Sequence, residues 1–105
     1  MAPNARRGEV WLVDMGLAGK VRPCLLLTDY PQDDELAIVS IVAHTTALRG
    51  NRWEIAIEKP FLKKGAFDLQ QIQSVSVAYL MRRLGSLSAE EFHKVTAKLS
   101  ERLNV

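Results

Sequence analysis

Arg22, followed by Pro23, stands at the mouth of the apolar run Cys24-Leu25-Leu26-Leu27, which reads as a buried strand. Thr45 and Thr46 follow a second such run, Ile38-Val39-Ser40-Ile41-Val42, with His44 immediately before them. A permanent cation at one strand end and hydroxyl donors at another can converge on a single anionic group. The guanidinium offers five donors in a planar fork that matches the oxygens of a phosphate. Chemistry on a phosphodiester is therefore the first reading of these residues. His44 adds an imidazole with an unperturbed pKa of ~6.5, suited to move a proton at neutral pH. Each residue also has a purely structural reading. Arg22 can pair with Asp14 or Asp29, the threonines can satisfy backbone groups in a turn, and His44 can be a hydrogen-bonding spacer.

These side chains need strands to hold them. Glu9-Val10-Trp11-Leu12-Val13-Asp14 is a short aromatic and β-branched run, and Val21 to Thr28 is a second strand with Pro23 near its start or on an edge. Leu36 to Ala43 is apolar on both faces and so central. Arg52-Trp53-Glu54-Ile55-Ala56-Ile57-Glu58 alternates, which predicts a half-buried strand with Trp53, Ile55 and Ile57 inward. Trp53 has a second reading as a stacking platform for an unpaired base. Ala66 to Val75 reads as a less regular strand, because Gln70, Gln71 and Gln73 need partners if buried. A helix follows: Ser88 caps it, Glu91 completes a capping box, and Phe92, Val95, Leu99 and Leu103 form one apolar stripe. His93 falls beside that stripe, at the surface. Short strands with no crossover helices exclude a doubly wound sheet and predict a small, strongly bent antiparallel sheet or barrel, with the terminal helix over one opening.

The chain of 105 residues is one domain, 1–105, with 48% hydrophobic and 25% charged residues, enough for one core. A net charge of +2 excludes binding to nucleic acid by bulk charge, so any affinity must come from local clusters: Arg49 with Arg52, Lys63 with Lys64, Arg82 with Arg83. Arg49 and Arg52 flank Gly50-Asn51, so both can reach a phosphate backbone from one tight loop. Arg82 and Arg83 are open between nucleic-acid contact and the underside of the barrel. The single Cys24 can form no internal disulfide and reads as a small buried hydrophobe. No apolar run approaches the ~20 residues of a membrane span, and no apolar stretch follows Arg6-Arg7 to make a secretion signal. The expected location is the cytoplasm, with no membrane partner.

With these blocks laid out, the chain resembles the MazF/PemK family of toxin endoribonucleases. Arg7-Gly8-Glu9-Val10-Trp11-Leu12-Val13-Asp14 looks like the family's opening strand, and Lys20-Val21-Arg22-Pro23-Cys24-Leu25-Leu26-Leu27 like its arginine-proline strand. Val42-Ala43-His44-Thr45-Thr46-Ala47-Leu48-Arg49-Gly50 resembles its threonine loop, Gln71-Ile72-Gln73-Ser74-Val75 its glutamine strand, and Arg83-Leu84-Gly85-Ser86-Leu87-Ser88 the approach to its last helix. The five blocks stand in the family's order over nearly the whole length.

The resemblance implies a mainly β fold with a C-terminal helix, an SH3-like barrel of the PemK/CcdB-like kind. It implies a homodimer, cleavage of single-stranded RNA with no metal or other cofactor, and inhibition by a cognate antitoxin protein. Arg22 matches the family's catalytic arginine, Thr46 its catalytic threonine and Gln71 its strand glutamine. The expected site is thus Arg22, Thr46 and His44 for catalysis, with Lys20, Thr45, Arg49, Arg52 and Gln71 contacting RNA. Two departures bear on mechanism. The first loop, Gly16-Leu17-Ala18-Gly19-Lys20-Val21, is short and has no carboxylate, so no glutamate base carries over. His44 stands where many members have an apolar residue or cysteine. The alternative function on the same barrel is a non-catalytic binding module or a gyrase-directed toxin. Neither needs the Arg22 and Thr46 pair.

Overall fold

The computed structural model describes residues 3–16 and 21–105. Six strands, β1 (Glu9–Asp14), β2 (Val21–Leu26), β3 (Ile38–Thr45), β4 (Glu54–Ile55), β5 (Ala66–Ser76) and β6 (Leu80–Ser86), precede one helix, α1 (Ala89–Leu103). They form one sheet in the order β4-β5-β3-β2-β1-β6, and every pairing is antiparallel.

Alternation along the central strands feeds two cores, one on each face. Trp11, Val13, Cys24, Leu26, Val39, Ile41 and Ala43 join one cluster. Their neighbours Val10, Leu25 and Val42 join the other, with Phe67, Leu69 and the helix residues Val95 and Leu99. Burial on both faces is why β2 and β3 read as continuous apolar runs. Pro23 is tolerated in an interior strand because the β2–β3 ladder starts one residue later, with Cys24 opposite Ala43. Between Val42 and His44 the register slips: those positions face Ile72 and Phe67 of β5, so two steps along β3 span five along β5. Phe67 also pairs with Ile55 of β4, which places it between β3 and β4, fully buried.

The mainly β class with a terminal helix stands as read, while the barrel is not closed: β4 and β6 remain the outer strands. Several boundaries differ from the sequence expectation. β3 begins at Ile38 and runs through His44 and Thr45, so these two belong to the strand itself. The alternating segment 52–58 yields only the two-residue β4, although Ile57 is buried as expected. β5 is the longest strand, at 11 residues, and Gln70 and Gln73 are exposed on it. β6 was not anticipated: Leu-Met-Arg-Arg-Leu-Gly-Ser has no clean period of two, and its ladder with β1 carries two register shifts.

The helix begins as expected. Ser88 Oγ accepts from the Glu91 amide at 3.1 Å, and Glu91 Oε1 accepts from the Ser88 amide at 2.8 Å. Glu91 also pairs with Lys59 at 2.6 Å, tying the β4–β5 connection to the first helical turn. The apolar stripe ends one turn early, for Leu103 is 47% exposed. No helix among the described residues is long and apolar enough to cross a membrane.

Candidate active site

A cleft of about 600 Å³ opens where β2, the end of β3 and β6 meet the β4–β5 connection. Arg22 and Pro23 of β2, His44 and Thr45 of β3, and Thr46 just beyond it line the cleft, together with Phe61, Lys63 and Arg82. Arg22, Thr46 and His44 are thus brought into one cavity from two strands that pair with each other.

Arg22 keeps its charge for the cleft. Asp29 accepts from the Arg7 amide at 2.9 Å and Asp14 from the Gly16 amide at 2.9 Å. The ion pairs among the described residues, Lys59–Glu91, Arg83–Glu9 and Lys98–Glu101, involve none of the cleft cations. Cys24, two residues along β2, is buried, and that burial pushes its thiol up to about 12 despite the nearby Arg22 charge. It is a core residue with no thiolate to offer.

The threonines have different tasks. Thr45 is buried and its Oγ1 accepts from the Ala47 amide at 3.1 Å, closing a tight turn at the strand end. That turn presents Thr46, which is exposed, to the cleft. His44 is only 4% exposed, its ring meets Phe67 edge-on at 5.2 Å, and its buried Nε2 has no hydrogen-bond partner. Burial lowers the imidazole pKa from 6.5, so the neutral ring prevails at neutral pH, and His44 also lines the cleft.

The remaining expected contacts lie elsewhere. Lys20 falls outside the described residues. Gln71 does not line the cleft: its Nε2 donates to Asp68 Oδ2 at 2.9 Å. Arg52 does not reach it either, because its guanidinium lies 4.4 Å over the Trp53 ring, which Lys98 and Arg102 also approach. Arg49 sits in the same loop, where Glu54 accepts from the Arg49, Gly50 and Asn51 amides and fixes the turn.

Two cations enter the cleft that were not named as site residues. Lys63 comes from the connection before β5, and Arg82 from β6, opposite Leu12 of β1. The basic pairs Lys63-Lys64 and Arg82-Arg83 were the available signal. Choosing between Arg82 and Arg83 required knowing that both sit on a strand, where neighbours point to opposite faces. Arg83 pairs with Glu9 at 3.1 Å and Ser86 at 2.7 Å, leaving Arg82 to the cleft. Among the described lining residues there is no carboxylate. Arg22, Lys63 and Arg82 therefore make it a focused anion site on a chain of small net charge.

Comparison with known proteins agrees with the fold. Residues 6–103 match the family described as the PemK-like, MazF-like toxin of type II toxin–antitoxin systems. A probable endoribonuclease, MazF5, of Mycobacterium tuberculosis is 35% identical over 85 residues, covering 78% of this chain and 77% of that protein. Among solved structures, an endoribonuclease in complex with its cognate antitoxin from a mycobacterial species superposes with a TM-score of 0.78 at 22% identity, over 95% of both chains. The Mycobacterium tuberculosis toxin MazF-mt6 gives 0.77 at 21% identity over 92% of this chain and 97% of that one. The MazE–MazF structure (form II) of Deinococcus radiodurans gives 0.79 at 17% identity over 95% of both. The structural likenesses establish the fold, and the family match over nearly the whole length establishes the lineage: this chain belongs to the PemK-like, MazF-like toxin family of type II toxin–antitoxin systems.

Proposed function

We propose that this toxin is a sequence-selective endoribonuclease that cleaves single-stranded RNA with its own side chains and no metal ion. The observation that carries this reading is the convergence of Arg22, Thr46 and His44 on one cleft lined by Lys63 and Arg82 and free of carboxylates among its described residues. The nucleophile is the RNA's own 2'-hydroxyl. It attacks the adjacent phosphorus, the bond to the 5'-oxygen breaks, that oxygen takes a proton from water, and the products are a 2',3'-cyclic phosphate and a 5'-hydroxyl end. Charge builds on the non-bridging oxygens in the transition state, where preorganised donors lower the barrier most. Arg22 grips two of those oxygens, and the Thr46 hydroxyl donates to one of them. His44, neutral and lining the cleft, takes the 2'-hydroxyl proton. Lys63 and Arg82 hold the flanking backbone.

The toxin acts in the cytoplasm on mRNA and arrests growth. It is held in check by a cognate antitoxin that covers the cationic cleft; an endoribonuclease of the same fold is found in complex with its cognate antitoxin. It pairs as a homodimer, since a domain this small gains buried area by pairing, and light scattering should return twice the 11.8 kDa of the chain. The direct test of activity is incubation of purified protein with mixed-sequence RNA in EDTA. Cleavage leaving 2',3'-cyclic phosphate ends is expected; intact RNA, or cleavage only when divalent cations are restored, would defeat the proposal.

A further inference from the structure

A second pocket, of about 390 Å³, lies beside the cleft and shares Lys63 with it. The two cavities are back to back. Thr46 and Ala47 face the cleft while Leu48, next in the chain, faces the second pocket, and Gly65, in its wall, packs against Thr45 and His44. Ile57 is a buried wall residue, Leu62 packs on the core, and Leu48 is left 52% exposed. Lys63 and Lys64 stand at the rim without an ion-pair partner among the described residues, whereas Lys59 is engaged by Glu91. Glu58 is the pocket's carboxylate.

We infer that this pocket receives one unpaired base of the substrate strand, next to the scissile phosphate, and that Glu58 reads that base. The inference rests on the endoribonuclease reading of the adjoining cleft. Its volume is that of a small-ligand site, and its apolar walls suit the face of an unstacked base. Lys63 lines both cavities, so a strand anchored at Arg22 can meet it on the way to Leu48. Lys63 and Lys64 then neutralise the phosphates on that path. Glu58, ionised, can only accept hydrogen bonds. It therefore favours bases whose edge carries an amino group and ranks uracil lower, because uracil's single N3–H donor is flanked by two carbonyl oxygens that repel a carboxylate. The same carboxylate argues against an acidic peptide segment as the occupant.

The test is a randomised single-stranded RNA library cleaved in EDTA, with the new ends sequenced. Wild-type protein should select against uracil at one position flanking the cut. Glu58→Gln can donate as well as accept, so that selection should relax about tenfold while preferences at other positions hold. Leu48→Ala should raise KM for the preferred sequence more than it lowers kcat. Absence of any position selecting against uracil would overturn the inference. So would an unchanged base profile in both variants, including the case in which they lose only affinity for the antitoxin. If wild-type protein cleaves no RNA at all, the endoribonuclease reading itself fails, an outcome distinct from an active enzyme indifferent to Glu58.

Discussion

Gly65 touches Thr45 and His44 so closely that no side chain fits between them. A Cβ at Gly65 would lie 2.2 Å from the Thr45 carbonyl oxygen and 2.9 Å from His44 Cε1. The contact arises because β5 starts here, pairing Ala66 with Thr45 and Phe67 with His44. The backbone at the start of β5 thus serves as the wall that holds His44 and the threonine turn in place.

Gly65→Ala must push that wall apart. The expected cost is about 1–3 kcal/mol of stability, the range for forced overpacking. Displacing the turn that presents Thr46 should also lower RNA cleavage by about a hundredfold. Thermal unfolding and single-turnover cleavage measure the two effects. An unchanged Tm and rate would show that the site is not seated on this contact.

Thr45 and Thr46 should separate cleanly on mutation. Thr45→Ala leaves the Ala47 amide without its side-chain acceptor and should destabilise the fold by about 1 kcal/mol, with activity falling through the loosened turn. Thr46→Ala should leave Tm unchanged and lower kcat with little effect on KM, because its donor acts on charge that appears in the transition state. Denaturant melts paired with steady-state kinetics distinguish them. A Thr46→Ala protein that cleaves normally would remove this hydroxyl from the mechanism.

The histidine gives a pH signature with a definite sign. Burial lowers the His44 pKa below 6.5, so the base form prevails at neutral pH and the acid limb of kcat/KM should lie below the ordinary histidine value. Stability moves the same way: between 6.5 and the lower folded-state value the unfolded chain binds a proton that the fold refuses, so stability falls as pH falls through that window. His44→Asn should abolish both effects and cost roughly 10²–10⁴ in rate. Superimposable pH–rate curves for wild type and His44→Asn would make His44 a spacer.

What could be read from the sequence follows physical range. Arg22 and Thr46 were legible because each lies at the end of a strong apolar run, and pairing of those runs brings them into one cleft. The helix was legible because its cap, box and stripe are local. The burial of His44 was not, since it is packed against Phe67, which β5 delivers across a register slip. Nor was Arg82: β6 has weak alternation and owes its existence to β1. Gln71 is read as an RNA contact from the family's strand glutamine, and Arg52 from its place beside the Gly50-Asn51 turn. In the structure they contact Asp68 and Trp53, neighbours on their own segments. Short-range side-chain partners of this kind are what a motif does not report.

The measurement that bears most directly on the central claim is single-turnover cleavage of a single-stranded RNA in EDTA by wild type, Arg22→Ala and Arg22→Lys. Each variant should first be shown to unfold like wild type. Arg22→Ala should slow cleavage about a hundredfold or more, as removal of one preorganised donor does. Arg22→Lys should recover only part of that loss, because a lysine keeps the charge without the two-pronged grip. A folded Arg22→Ala protein that cleaves at the wild-type rate would contradict the account.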